Sequence, residues 1–329
     1  MLADRTIAVV IPCFRVQDRL QAAVADLPAF VDAIVLVNDA CPFGSAEAIA
    51  RISDPRVVTL RHEVNQGVGG AMVTGYQHCL ERGYDIVVKF DGDGQMAGAD
   101  MTRLLQPLLD GRADYTKGNR WVRTSGLRKM PPLRRLGNLG LSFLAKAASG
   151  YWNVFDVNNG YVAIERTALD LIEFRRISRR YFFENSMLIH LNFIRAVVVD
   201  IPLPSRYGDE ASSLSLARTF FEFPLYLIRG FLRRIWWRYF VFEFSILAIY
   251  LLLGLLLLSF GTIFGALEWW RSVASGVPAT GGTVMLAGLP VLAGLQLLLQ
   301  AVMLDIVSVP LRPLSSDAPR PKPSPSNVP

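Results

Sequence analysis

Two stretches in the C-terminal third, Phe244 to Leu267 and Val284 to Leu304, contain no charged residue. Coiled as helices, each would cross roughly 30 Å, the thickness of bilayer hydrocarbon, and hydrocarbon leaves a single segment little choice but to satisfy its backbone internally. Two transmembrane helices are predicted. Gln296 and Gln300 make the second stretch less oily, so a buried soluble helix competes with the membrane reading there. The chain of 329 residues is 52% apolar, but the excess lies after position 219. What precedes it reads as a soluble domain.

Charge gives an orientation. Arg229, Arg233, Arg234 and Arg238 precede the first stretch, while Glu268 to Thr283 nets to zero, which by the positive-inside rule puts both ends in the cytoplasm. Met1 to Arg5 carries no cationic leader into an apolar core, so no signal peptide is expected. Arg218 to Phe240 is aromatic and basic and is interrupted by Pro224. It is expected to lie in the interface, with its arginines snorkelling to headgroups and Trp236, Trp237 and Tyr239 in the aromatic belt. The net charge of +6 then faces anionic lipid rather than nucleic acid. Cys13, Cys41 and Cys79 lack any C-x-x-C spacing and imply neither a disulfide framework nor zinc.

The expected organisation is a cytosolic domain at 1–211, juxtamembrane interfacial helices at 212–240, a first span at 241–267, an outer loop at 268–283, a second span at 284–305 and a disordered proline-rich tail at 306–329. Within the soluble domain, short apolar runs (Ile7 to Ile11, Ala33 to Val37, Val57 to Leu60, Ile86 to Phe90) alternate with helical stretches such as Ser45 to Ile52 and Gly69 to Arg82. That alternation predicts an α/β fold with a mostly parallel sheet. A looser part follows, with a helix near Leu136 to Ser149 and strands near Gly160 to Ile164 and Ala196 to Ile201.

Asp91-Gly92-Asp93-Gly94-Gln95 closes the run Ile86 to Phe90. Ligands of open α/β sheets bind just beyond the carboxyl ends of strands. In extended backbone, Asp91 and Asp93 leave the same face, and two carboxylates there suit Mg2+ or Mn2+, which complete their shells with water and substrate phosphates. An acidic turn is the plainer alternative. An EF-hand is excluded, because its sixth and twelfth positions would be Met96 and Thr102.

Other clusters share that sheet edge. Asp39 follows the second strand and can accept from a base N–H or from ribose hydroxyls. Asn65-Gln66-Gly67-Val68-Gly69-Gly70-Ala71 leads into a helix and is expected to offer free backbone N–H groups to a nucleotide. Met72 breaks the dinucleotide fingerprint, and no P-loop motif occurs. Arg120 ends Lys117-Gly118-Asn119-Arg120, and Arg206 opens Arg206-Tyr207-Gly208-Asp209-Glu210; either suits a phosphate.

In this order, ahead of a membrane anchor, these residues resemble glycosyltransferase family 2, the GT-A nucleotide-sugar transferases, over about Ile7 to Leu216. The likeness is nearest to the polyprenyl-phosphate sugar synthases. It implies that Ile11-Pro12 ends the first strand at the donor site, that Asp39, Asn65, Gly67 and Arg206 serve the nucleotide-diphosphate-sugar, and that Asp91, Asp93 and Gln95 hold the metal. It implies further that Arg120, Arg134 and Arg135 meet the acceptor phosphate and that Asp156 lies near the reacting centre. Asn38 stands where the family usually has a second acid. Glycan-extending relatives carry Glu-Asp at their base position, and the nearest match here is Glu184-Asn185.

The expected reaction is inverting transfer of a sugar to a polyprenyl phosphate at the inner face of the cytoplasmic membrane. A phosphate acceptor is already anionic and needs no general base, whereas a sugar hydroxyl does. Two alternatives stand beside it: extension of a lipid-linked or surface glycan with Glu184 as base, and a silent nucleotide-sugar-binding scaffold. Homo-oligomerisation through the spans is left open.

Overall fold

The structure, a computed structural model, describes residues 1–120, 132–203 and 216–316; the side chains of 132–138, 216–222 and 316 are outside that description. The chain divides into two compact units, Met1–Phe231 with Pro310–Pro329, and Leu232–Val309.

The first unit is built on a seven-stranded sheet ordered β3-β2-β1-β4-β6-β5-β7. Its strands are β1 (Ile7–Cys13), β2 (Ala33–Asn38), β3 (Val57–Arg61), β4 (Ile86–Lys89), β5 (Tyr115–Asn119), β6 (Val162–Glu165) and β7 (Val198–Pro202). Neighbours are parallel except at β6, which runs antiparallel to both β4 and β5. The expected mostly parallel α/β sheet is therefore what forms. The near-continuous β-branched runs of β1, β2 and β4 are buried along their length, as strands covered on both faces require. Alternate residues Ile7, Val9 and Ile11 join Ile34, Leu36, Val88, Met101 and Leu104 in one core layer. On the other face Gly75 of α3 (Val68–Arg82) lets that helix close on Val10; a Cβ there would overlap the valine side chain.

The last part of this unit comes from beyond the apolar stretches. The backbone N–H of Leu314 donates to Asp114 Oδ1 at 2.8 Å, while the other oxygen accepts from Val197 N–H at 2.7 Å. The portion of the expected tail at 310–316 is thus docked rather than disordered, and 317–329 lies outside the described residues.

The second unit is a helical hairpin. Ile246–Ser275 and Gly281–Val307 are long and apolar enough to cross a membrane. Helix runs past the expected boundary at 267, so the connection is only 276–280. Ala248, Gly254, Gly261, Gly294 and Ala301 are its buried small residues, the composition that close helix packing in lipid favours.

The juxtamembrane helix Leu216–Trp236 continues straight through Pro224, contrary to the expected interruption, and passes into a π-helical turn at Trp237–Phe242. Nor do all its arginines snorkel. Arg234 is 0% exposed and donates from Nη1 and Nη2 to Asp305 Oδ1 and Oδ2 at 2.7 and 2.8 Å. The Tyr239 hydroxyl, expected in the aromatic belt, donates to the same carboxylate at 2.6 Å, and Arg238 Nη2 donates to the Ser308 carbonyl. A bidentate carboxylate satisfies a guanidinium better than a headgroup at a distance, and that partner lies 71 residues away in the chain.

Candidate functional site

The site lies at the carboxyl end of β4. Lys89, the last residue of that strand, is 1% exposed. Its ammonium donates to Asp91 Oδ1 at 2.7 Å and to the Gly160 carbonyl at 3.4 Å, and stands 3.5 Å from Glu184 Oε1. Burial alone would push the ammonium down; Asp91 and Glu184 outweigh it and hold Lys89 above its ordinary value. Glu184 comes from the first turn of the helix Phe183–Phe193. Gly160 leaves room for this pair: a Cβ there would overlap Lys89 Nζ and lie 2.7 Å from Asp91 Oδ2, so one or both side chains would have to shift.

Asp91, Asp93, Gln95, Arg120, Gly160 and Glu184 line a cleft of about 160 Å3. Asp93 Oδ1 accepts from the Gln95 N–H at 3.0 Å, and Arg19 Nη1 donates to the Asp93 carbonyl at 3.0 Å. Among the described residues no three or more His, Cys, Asp or Glu side chains form a metal-holding group. Two carboxylates on a cleft wall nevertheless fit a hard divalent cation of the Mg2+ type, which commonly takes one or two protein carboxylates and draws its other ligands from water and phosphate.

Arg120, which also lines the cleft, forms one unit with Asp156. The backbone N–H and Nε of Arg120 donate to Asp156 Oδ2 at 3.1 and 2.7 Å, and Nη2 donates to Oδ1 at 3.1 Å. Asp156 is 2% exposed and thus orients a half-buried arginine. Arg134 and Arg135 fall in the helix Pro132–Ser149, but their side chains, like the whole of Arg206, lie outside the described residues.

The nucleotide side departs from expectation. Asp39 is 2% exposed, and its carboxylate is occupied from within: His62 Nδ1 lies 2.7 Å from Oδ1, which accepts the Gln66 N–H at 2.8 Å, while Oδ2 accepts the Gly67 N–H at 2.8 Å. Asn65 Nδ2 donates to the Asp39 carbonyl at 3.2 Å, and the Gly70 N–H donates to the Arg179 carbonyl at 3.0 Å. Asp39, Asn65 and Gly67 therefore brace one another, and the expected free N–H groups at Gln66, Gly67 and Gly70 are taken up. Gly69 serves close packing, since a Cβ would overlap the Ser178 carbonyl oxygen. Pro12 is half-buried in β1, paired in register with Val37.

Sequence reasoning passed over residues at the same edge. Phe14 and Phe43 are 37% and 48% exposed, their rings meet edge-on, and the Arg15 guanidinium sits 4.4 Å from the Phe43 centroid. Lys117 of β5 is 0% exposed and donates to the Asn159 carbonyl. Its burial lowers the ammonium to about 8 against the opposing charges of Glu184 and Asp156. A lone lysine inside an apolar strand, as in Ile86-Val87-Val88-Lys89, is the signal that could have found these buried cations.

The model for glycosyl transferase family 2 matches residues 8–172. The chain belongs to glycosyl transferase family 2. Among relatives of this family 2 chain is the UDP-N-acetylglucosamine--dolichyl-phosphate N-acetylglucosaminyltransferase of Methanococcus voltae, 28% identical over 63% of this chain and 88% of the relative. Polyprenol monophosphomannose synthase of Mycolicibacterium smegmatis is 29% identical over 61% of this chain and 78% of its own length. Undecaprenyl-phosphate mannosyltransferase of Micrococcus luteus is 30% identical over 52% and 70%. The fold is shared with glucosyl-3-phosphoglycerate synthase of Mycobacterium tuberculosis, solved with Mn2+ and UDP, at a TM-score of 0.52 and 17% identity over 70% of this chain and 80% of that one. The GT-A architecture inferred from motif order is thus the one adopted.

Proposed function

We propose that this family 2 enzyme transfers a sugar from a nucleotide-diphosphate-sugar to a polyprenyl phosphate, with inversion, at the cytoplasmic membrane face. The observation that carries the reading is the pairing of Glu184, the cleft glutamate nearest the family's base position, with the buried Lys89 ammonium at 3.5 Å. The Lys89 ammonium already engages this carboxylate, and a phosphate monoester arrives anionic and needs no general base. Three relatives named for dolichyl, undecaprenyl or polyprenol phosphate support that acceptor class. So does an apolar surface beside the Arg120–Asp156 pair, where Leu139, Phe143 and Phe155 are 67%, 58% and 61% exposed.

In this mechanism a phosphate oxygen of the acceptor attacks the anomeric carbon in line with the departing nucleoside diphosphate. Arg120, fixed by Asp156, orients that phosphate with Arg134 and Arg135, so proximity supplies much of the rate. Asp91 and Asp93, with Gln95, would hold Mg2+ or Mn2+, which when bound neutralises charge on the leaving diphosphate. Arg206, which lies outside the described residues, is assigned to the donor diphosphate by the family likeness alone. Phe14 and Phe43, partly exposed at the edge that Asp39 braces, supply apolar surface for the base.

The apolar helices anchor the enzyme as a two-span protein. The return of Leu314 to Asp114 in the first unit supports a hairpin that begins and ends on one side, and the positive-inside rule assigns that side to the cytosol. Membranes supplied with a panel of nucleotide-sugars test the transfer: mass spectrometry should find a polyprenyl-phosphate-sugar. Glu184 does line the cleft, which gives glycan extension a second place. A new sugar–sugar bond as the product, with Glu184→Gln inactive and folded, would install that reading instead.

A further inference from the structure

We infer that Lys89 is a positioning residue that keeps the acidic pair from holding a bare metal ion tightly, so that cation and nucleotide diphosphate bind together and leave together. The inference rests on the metal-dependent transfer proposed above. Its basis is geometric. The ammonium sits 2.7 Å from Asp91 Oδ1, while Asp91 remains 30% exposed to the cleft. A divalent cation on that carboxylate would meet a fixed positive charge held in a site that water does not reach to screen.

The ammonium cannot easily move aside. It is enclosed by Asp91, the Gly160 carbonyl and Glu184, and Gly160 leaves no spare volume around it. Glu184 supplies the second anion that keeps the cation in place. Lys117, the other buried ammonium near Glu184, adds positive charge on the same side. Repulsion between Lys89 and a metal ion is long-ranged in so dry a setting. A nucleoside diphosphate brings the negative charge that offsets it. By linkage, diphosphate then strengthens metal binding by the same factor that metal strengthens diphosphate binding. Turnover gains from this arrangement, because once the diphosphate departs the acidic pair does not retain the cation and the cleft is cleared for the next donor.

The test uses the purified full-length chain in detergent, with Lys89→Met and with Lys89→Gln, which keeps an N–H donor for Asp91 and Gly160 should the methionine variant fail to fold. Free Mn2+ is measured by electron paramagnetic resonance, alone and with saturating UDP or GDP, whichever donor nucleotide supports transfer. Both neutral variants should bind bare Mn2+ at least about tenfold more tightly than wild type, as loss of a near charge requires. The strengthening of Mn2+ binding by nucleotide should shrink correspondingly, and kcat should fall with the KM for lipid little changed. A folded variant whose bare Mn2+ affinity is unchanged or weaker overturns the inference while leaving sugar transfer to polyprenyl phosphate standing. Wild-type transfer that persists undiminished under chelation removes the metal reading, and this inference with it.

Discussion

Lys89 and Lys117 stand in register with the same residue, Val162 of β6, one from each side. Directly opposed residues point to one face of a sheet, so the antiparallel strand β6 brings two buried ammoniums onto the face that Glu184 covers. Only Lys89 reaches a carboxylate within ion-pair distance among the described residues.

Lys117 therefore carries a desolvation cost that its neighbours only partly offset. Its folded value near 8 lies below the ordinary 10.5, so between those limits the unfolded chain binds more protons and stability rises with pH. Lys117→Met should raise the thermal midpoint of the catalytic unit at pH 7 and flatten its rise between about 8 and 10.5. A lower midpoint at pH 7 would show that the ammonium stabilises the fold.

Asp91→Asn and Asp93→Asn should each lower kcat by about 100-fold or more, the scale of losing charge stabilisation on a leaving group, with little change in lipid KM. Chelation of the wild type should do the same. Initial rates across a metal titration decide.

Arg120→Ala and Asp156→Asn should raise the KM for polyprenyl phosphate by about tenfold each and leave that for nucleotide-sugar alone. Because one residue acts through the other, the double variant should be no worse than Arg120→Ala. Additive losses would mean that Asp156 meets substrate itself.

Arg234→Ala leaves Asp305 buried without its bidentate partner and should destabilise the helical unit by about 3–5 kcal/mol. Replacing both Arg234 and Asp305 by methionine should recover most of that loss. Unfolding in detergent, followed through the tryptophans, measures both.

Cysteine at Val277, in the connection between the apolar helices, should react with an impermeant thiol reagent in intact cells, whereas cysteine at Ser326 should not. Labelling at Ser326 would reverse the topology.

The parts of this molecule legible in the sequence are those set by local periodicity. Ile86-Val87-Val88 had to be a covered strand, so Asp91 and Asp93 had to emerge at its carboxyl edge. The pairing of Lys89 with Glu184 was not legible, because it depends on how a helix 95 residues later docks on that edge. Asp39 was read as an open acceptor for the same reason: its partners, His62 and the N–H groups of Gln66 and Gly67, arrive through the crossover from β2 through β3 to α3. The arginines of the juxtamembrane segment read as a face for headgroups, but no local pattern reveals their carboxylate partner at Asp305. Long-range pairs of this kind are tertiary facts, invisible to any window of neighbouring residues.

The hydrogen bond from Leu314 to Asp114 changes what kind of object the apolar hairpin is. The polypeptide leaves the catalytic unit after Phe231 and rejoins it at Pro310. In chain topology the hairpin is an insertion, a long excursion from a domain that closes behind it, rather than a trailing anchor. Cutting the chain at its exit would remove the hairpin together with the segment that covers Asp114, leaving its Oδ1 without the Leu314 donor. A water-soluble enzyme is better reached by excision, with the exit and re-entry points joined by a flexible bridge, than by truncation.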